Sequence, residues 1–465
     1  MGRLKVGVGV SVITPPVGKP IPVWRYRRGR AVGVHDDLLV KAVVLSDEST
    51  TIALATLDVA LIDEATIQGV REKVSRLTGI PGENVMFNCS HNHTSPTPPS
   101  RDTARGKIIE KTWPSLNFNE YMSFQDYVAG AIVEAYHNME RAEIGADKGD
   151  APGVTVNRRH PEELVDTELG VIKICREDGS LLSSLVNFQC HALAVGGQYL
   201  LWTADFPGFM RDFVESAYPL SSCLFLQGAA GDIHPWDWWF GNMEPKHPAT
   251  FEEAEKLGRI LGSEACKVLE GIDTSKDVEI KVASKRILLE GRRFPWSKEE
   301  AEEVIEEVLR KDKPWRKAVW PKGVTIADIY HRYPSGYRYG LIPFIRYIAE
   351  LAEKGEAMPN VEAEIQAFKI NDIVLILTPG ELFNQLGRRI KEGSPYKNTF
   401  VLSETTAVGY IPPREAYEEV SGMSLREVID PEMGWWAYGA TYTCYVAPGT
   451  GEKIVEESLS LIEEL

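Results

Sequence analysis

The chain has 465 residues, 43% hydrophobic and 25% charged, a balance that fits a globular protein of one large domain or two ordinary ones. A formal net charge of −16 without any Lys/Arg-rich run excludes a nucleic-acid partner, because phosphate binding needs a basic patch. No uninterrupted apolar run is long enough for a transmembrane segment, and no apolar leader with a cleavage site opens the chain, so neither membrane insertion nor secretion is expected.

Met1 to Val8 reads as the first strand. Leu38–Leu45 and Thr51–Leu57 are rich in β-formers and flank Ser46-Asp47-Glu48-Ser49, which predicts a hairpin. A helix follows with Ile67, Val70, Val74 and Leu77 on one face, ended by Gly79. The apolar run Val85-Met86-Phe87 then predicts a strand that runs into Cys89-Ser90-His91-Asn92-His93-Thr94. In a strand, residues i and i+2 point to one face, so the two imidazoles project together from the end of a rigid element. With only nine His in the chain, this pair reads either as a catalytic metal site or as two structural hydrogen-bonding histidines.

A helix is expected at about 124–141, and strands at Gly170–Cys175 and Ser184–Phe188, the latter leading to His191. Strand Cys223–Leu226 enters the loop Gly228-Ala229-Ala230-Gly231-Asp232, and a helix covers Phe251–Leu269. Residues 297–360 change character. Ser297 and Glu300 form a capping-box pattern, Glu299–Lys311 is acidic and helical, and aromatic and basic residues crowd Tyr330–Tyr347. This stretch reads as a helical insertion, either a lid or a solvated helical pair packed on the core. Val361–Ile370 and Ile373–Leu377 predict a second hairpin turned at Asn371-Asp372, with the second strand ending at Pro379-Gly380-Glu381. Strand Thr399–Leu402 leads to Gly409-Tyr410, and an amphipathic helix closes the chain from about Glu452.

Strands and helices alternate without a linker. The fold class is therefore α/β, with a mixed β-sheet core, flanking helices and a single large domain over residues 1–465. The cysteines Cys89, Cys175, Cys190, Cys223, Cys266 and Cys444 are scattered, without a Cys-x-x-Cys pair. They read as small buried hydrophobes in a reducing compartment, which makes the cytoplasm the expected location. Gly7-Val8-Gly9 and Gly228–Gly231 complete neither a dinucleotide fingerprint nor a P-loop, and Gly228–Asp232 is expected to be a tight turn under the site.

Three strand ends offer metal ligands: His91 with His93, His191, and Glu381. Two His and a carboxylate with an open position form a known catalytic zinc constellation. From the residues alone, His191 could equally be a core histidine and Glu381 a carboxylate facing the dipole of helix Leu382–Lys391.

The stretch His91-Asn92-His93-Thr94-Ser95-Pro96 resembles the His-Thr-His-Ser/Thr-x-Pro motif of the neutral/alkaline ceramidase family. Further pieces resemble that family in the same order: Gly9 to Pro15, Gly33 to Leu38, Asn157-Arg158, Cys190-His191-Ala192, Gly231 to Pro235, Gly380-Glu381 with Gly387-Arg388-Arg389, and Gly409 to Pro412 with Glu415-Ala416-Tyr417. The resemblance runs from about residue 6 to the end and covers the catalytic region only. Neither the family's common C-terminal immunoglobulin-like module nor a secretion signal is expected here.

The resemblance implies one Zn²⁺ per chain held by His91, His191, Glu381 and Tyr410, with His93 beside the metal. It implies cleavage of a linear N-acyl amide by activated water. In that reading His93 and Tyr410 stabilise the oxyanion, His93 protonates the leaving amine, and Arg158 orients a polar group of the substrate. Tyr410 as a ligand rests on the resemblance alone; otherwise it is a core tyrosine. Asp58, at the end of strand Thr51–Leu57, either orients a ligating histidine or simply ends the strand.

The family's Gly-Asp-Val-Ser-Pro serine is His234 here, which changes the site wall and puts ceramide itself in question. Aromatic runs at Trp236–Phe240 and Trp435–Tyr438 suit an acyl chain, a sugar ring or a plain core. The expected partner is a small N-acyl substrate, a lipid or sugar amide. Zinc is the expected metal, with Mn²⁺ and Fe²⁺ also compatible. Two other readings compete. One is an amidohydrolase-type barrel, against which stand the several strands before residue 91 and the missing eight-fold rhythm. The other is a zinc-stabilised binding protein without catalysis.

Overall fold

The structure, a computed structural model, describes residues 2–19, 21, 30–96, 118–197, 199–235, 249–311, 342–429 and 437–465. The aromatic runs at 236–240 and 435–436, the Pro-rich residues 97–99 and the middle of the expected insertion, 312–341, lie outside the described residues.

Twelve strands build two sheets. The first contains β1 (Lys5–Val12), β2 (Leu39–Ser46), β3 (Thr51–Leu57), β4 (Val85–Cys89), β5 (Glu140–Asp150), β6 (Glu168–Arg176), β7 (Leu181–Phe188) and β8 (Ser222–Gln227). The second contains β9 (Ile280–Leu289), β10 (Val361–Ile370), β11 (Ile373–Leu377) and β12 (Asn398–Leu402). The spatial orders are β8-β7-β6-β5-β1-β2-β3-β4 and β9-β10-β11-β12. Both sheets are mixed: β3 with β4, β7 with β8, and β11 with β12 run parallel, and the other neighbours antiparallel. The expected mixed β-sheet core is present, divided between these two sheets. Val43, Leu54, Leu185 and Leu224 of the first share one apolar core with Phe368, Leu375 and Phe400 of the second.

The helices cover the outer faces. They are α1 (Glu64–Thr78), α2 (Phe118–His137), α3 (Asp205–Ala217), α4 (Phe251–Gly271), α5 (Lys298–Lys311), α6 (Ile342–Glu353), α7 (Asn384–Gly393) and α8 (Thr450–Glu463). Helix α1 starts at Asp63, whose side chain accepts from Thr66 N at 2.8 Å, and stops at Gly79 with φ of 79°. Gly7 and Gly9 admit α2 to strand β1: a Cβ at either would lie 1.9 Å from Ala135 O or 2.1 Å from Ala131 O. That close approach is what the Gly-x-Gly pair serves. At Ser297 half of the capping box forms: its Oγ accepts from Glu300 N at 3.1 Å, while Glu300 Oε1 instead accepts from Leu425 N at 2.6 Å. Helices α5 and α6 share a core with residues 425–429, Tyr442 and Tyr445.

Two strands escape the sequence pattern. Helix α2 ends at His137, earlier than expected, because the chain turns at Asn138 into β5. Strand β9 is an edge strand with Lys281, Lys285 and Arg286 outward, so its alternation is masked by charge.

Candidate metal centre

The parallel pairs decide where chemistry sits, because crevices in α/β sheets open at the carboxyl ends of strands. His91 follows β4, His191 follows β7, the 228–232 loop follows β8, and Glu381 follows β11. Asn88 ties these ends together. Its Nδ2 donates to Ser403 O at 2.8 Å and Gln227 O at 3.3 Å, and its Oδ1 accepts from Gln227 N at 2.6 Å. A second set of bonds joins the two histidine loops: His93 N donates to Ala192 O at 3.2 Å, and Asn92 Nδ2 to Thr203 O at 2.6 Å.

His91 and His93 come together, but not as strand residues. Strand β4 ends at Cys89, and His91 takes φ of 55°, a left-handed conformation that bends the chain. The rings lie 5.1 Å apart, and His191 lies 4.7 Å from His91 and 5.7 Å from His93.

His91 and His191 are each fixed by a backbone carbonyl. His91 Nδ1 is 2.9 Å from Ala60 O, and His191 Nδ1 is 2.6 Å from Ala230 O. A carbonyl only accepts, so both Nδ1 atoms carry the proton and both Nε2 atoms present lone pairs. Those lone pairs face Glu381 Oε2, at 3.5 Å from His91 and 3.6 Å from His191. Burial, with the charges of His91 and Arg158, pushes His191 down to about 4 against the pull of Glu381, so the ring is neutral. Burial opposes the Glu381 carboxylate too, but His91, His191 and the Tyr410 hydroxyl outweigh it and hold its pKa at about 2.

His191 Nε2 and Glu381 Oε2 are buried and make no hydrogen bond. Lone pairs converging without a proton between them need a cation, and two imidazoles with one carboxylate match the donor chemistry of zinc. The residues present therefore fit a divalent metal.

Glu404 was not anticipated. It follows β12 as Glu381 follows the adjacent β11, and its N–H donates to Gly380 O at 2.9 Å. It is 1% exposed, and its Oε2 lies 3.6 Å from His91 Nδ1. Ligating atoms of His91, His191, Glu381 and Glu404 all fall within 4.8 Å of one another, as do those of His91, His93 and His191.

Tyr410 lies beside Glu381 in a short parallel pairing of Glu381–Leu382 with Tyr410–Ile411. Its ring stacks 6.5 Å from His191, and burial raises its hydroxyl well above the usual phenol range. Arg158 is buried, with its guanidinium 4.8 Å from the Tyr410 ring and 5.1 Å from the Tyr438 ring. It donates to Gly231 O at 2.7 Å and meets His234 Nε2 at 3.1 Å. His234 is buried 5.3 Å from His191, in a short strand paired with Thr155–Asn157. Burial and the Arg158 charge hold it well below the usual imidazole range.

The loop 228–232 is a tight turn under the site, as expected. Asp232 braces it, accepting from Asn384 N at 2.7 Å and Asn157 Nδ2 at 2.8 Å. Asp58 belongs elsewhere. Its two oxygens each accept from Arg211 at 2.7 Å, and one also accepts from Leu39 N at 2.9 Å, so the ion pair, rather than a ligating histidine, uses this carboxylate. The backbone two residues on, at Ala60, orients His91 instead.

The solved structures settle the architecture. A ceramidase complexed with C2 superposes with a TM-score of 0.70 at 13% identity, over 99% of this chain and 75% of that one. The neutral ceramidase from Pseudomonas aeruginosa gives 0.67 at 16% identity, over 100% of this chain and 75% of its own. The chain has the neutral ceramidase fold. At this identity the likeness is one of fold, and it agrees with the resemblance carried by the sequence motifs. No protein-family model matches the chain, and no curated protein matches it significantly. The ceramidase fold also disposes of the barrel alternative, since the strands form two stacked sheets instead of a closed ring.

Proposed function

We propose that the chain is a zinc-dependent amide hydrolase of the ceramidase type, acting on a small N-acyl amide in lipid or sugar-amide metabolism. One observation carries the reading: two carbonyl-clamped imidazoles turn their Nε2 lone pairs onto one buried carboxylate, at the strand ends of a ceramidase fold.

In this reading His91, His191 and Glu381 hold the ion. When bound, zinc supplies Lewis-acid polarisation and lowers the pKa of water to about 7. The remaining work falls to the side chains around it. Tyr410, kept as a neutral phenol by burial, has a proton to give to the oxygen of the scissile carbonyl as charge develops there. Arg158 lies over that phenol ring and meets His234 Nε2 at 3.1 Å, so it acts by position. His93, only partly buried, is the group placed to hand a proton to the departing amine. All six cysteines are free and five are buried, which supports the cytoplasm as the compartment we propose.

The test is amine release from N-acetylated sugars and amino acids and from short- and long-chain ceramides, with zinc-loaded and chelator-stripped protein. Zinc-dependent cleavage of one class supports the reading and names the substrate. No cleavage of any class by fully loaded protein would overturn it.

A further inference from the structure

The chain from Thr203 to Asp205, at the entry to α3, grips both histidine loops. We infer that Asp205 and Asp36 are positioning residues for His93, acting through the carbonyl of Thr203. The effect on rate rests on the reading of His93 as the proton donor of an amide hydrolase; the placement of its ring does not.

Both chain neighbours of His93 hold that carbonyl. Asn92 Nδ2 donates to Thr203 O at 2.6 Å, and the Thr94 hydroxyl lies 2.8 Å from the same oxygen. Asn92 Oδ1 in turn accepts from Thr94 N at 2.9 Å, which closes the turn around His93. Thr203, Asn92 and Thr94 are all fully buried. The backbone of His93 then reaches the other loop, its N–H donating to Ala192 O at 3.2 Å. The place of the His93 ring follows from this backbone.

Two carboxylates aim the carbonyl. Asp36 Oδ1 accepts from the Thr203 hydroxyl at 2.5 Å, and its Oδ2 accepts from Ala204 N at 2.7 Å. Asp205 N donates to the same Thr203 hydroxyl oxygen at 3.1 Å. The fully buried Asp205 side chain accepts from Ala194 N at 3.0 Å, Val195 N at 2.9 Å and Phe206 N at 2.6 Å. A carboxyl group buried this completely needs such partners.

Support of the helix alone does not account for these bonds. A capping side chain bonds N–H groups of its own first turn, whereas two of the three bonds here run back to the loop that carries His191. Asp205 also holds φ of 56°, a left-handed bend that most residues adopt only at a cost in free energy. The ligating histidines are fixed elsewhere, by Ala60 O and Ala230 O. Loss of the clasp therefore moves His93 against a retained metal site.

The experiment records the ring resonances of His93 in zinc-loaded protein with ring-labelled histidine, assigned with His93→Ala. Zinc content, kcat and KM are measured on the same samples. Asp205→Gly accepts the left-handed bend and deletes the carboxylate. Asp205→Asn keeps the bend and one side-chain oxygen, and is the conservative variant. Asp36→Ala tests the other side of the carbonyl and serves if the Asp205 variants do not fold. Asp58→Asn, which loosens α3 through Arg211, is the control for helix stability alone.

In folded protein, Asp205→Gly and Asp36→Ala should shift or broaden the His93 resonances and keep zinc near one per chain. They should lower kcat about 10²-fold with little change in KM, the cost of misplacing a reacting group by about 1 Å. Asp205→Asn should fall between them and wild type, and Asp58→Asn should leave the His93 resonances unmoved. Wild-type His93 resonances in folded Asp205→Gly and Asp36→Ala would overturn the inference. An equal change in Asp58→Asn, zinc lost in step with kcat, or moved resonances with wild-type kcat would overturn it too. If wild type cleaves no amide, the hydrolase reading falls, and the resonances still decide whether the clasp places His93.

Discussion

His191 Nδ1 sits 2.6 Å from the carbonyl oxygen of Ala230, and that contact determines which nitrogen of the ring faces Glu381. The donor comes from the end of β7 and the acceptor from the turn after β8, so a parallel pairing in the sheet is converted into a tautomer at the site. His91 and Ala60 repeat the arrangement from β4 and β3, the other parallel pair of the same sheet. Metal ligands of this type normally give their second nitrogen to such a partner, which fixes both ring orientation and basicity.

The turn that presents Ala230 depends on Gly231. A Cβ there would lie 2.4 Å from Glu381 O and 3.0 Å from Leu382 O, both backbone atoms that cannot swing aside. Gly231→Ala should therefore displace the Glu381 backbone, destabilising the fold by about 1–3 kcal/mol and weakening zinc binding. Thermal melting with chelator competition checks this. Unchanged zinc affinity in a folded variant would show that Glu381 is not positioned by this contact.

The metal-free protein should lose stability as it is acidified. His191 titrates at about 4 when folded and near the ordinary imidazole value when unfolded, and burial also holds His91 and His234 low. Between about pH 6.5 and 4 the unfolded chain then binds more protons, so stability falls as the pH falls through that window. His191→Gln should flatten the slope by roughly 1.4 kcal/mol per pH unit in mid-window. Urea unfolding of chelated protein across the window measures it. An identical slope in the variant would refute the neutral assignment.

Asp58 predicts a stability defect without a metal defect. Asp58→Asn strips the charge partner from Arg211, which is 3% exposed, and leaves a buried guanidinium unpaired. A loss of about 3–5 kcal/mol is expected, with zinc content per folded chain unchanged. Metal analysis of the folded fraction decides. Zinc loss in parallel with stability would place Asp58 in the centre after all.

The ligands that follow apolar runs were legible in the sequence: His91 after Val85–Phe87, His191 after Ser184–Phe188 and Glu381 after Ile373–Leu377 each sit where a buried strand opens into a loop. Glu404 carries no such mark. Ser403-Glu404-Thr405 looks like any strand exit, and its place emerges only from the parallel register that sets Leu402 beside Leu377. The His-x-His pair clusters as expected but for a different reason, since the left-handed turn at His91, and not strand alternation, brings the rings together. Likewise the stacking of two sheets is a non-local fact. Strand β10 shows its alternation plainly, whereas nothing within it says that Phe368 will meet Leu54 and Leu185 across a layer.

His93 is the sharpest test of roles within the cluster. Its ring lies within reach of both ligating histidines, and geometry alone would admit a three-histidine site of His91, His93 and His191. The rings differ in cover: His91 and His191 are 4% and 1% exposed, whereas His93 is half-buried, with its Nε2 turned inward. As a proton donor it contributes to the rate and not to the affinity for metal. His93→Ala should then lower kcat by about 10²- to 10⁴-fold while retaining near one zinc per chain. Activity measured alongside zinc content separates the roles, because a ligand would lose both together. Zinc loss matching the activity loss would move His93 into the coordination sphere and transfer the proton donor's task to Tyr410.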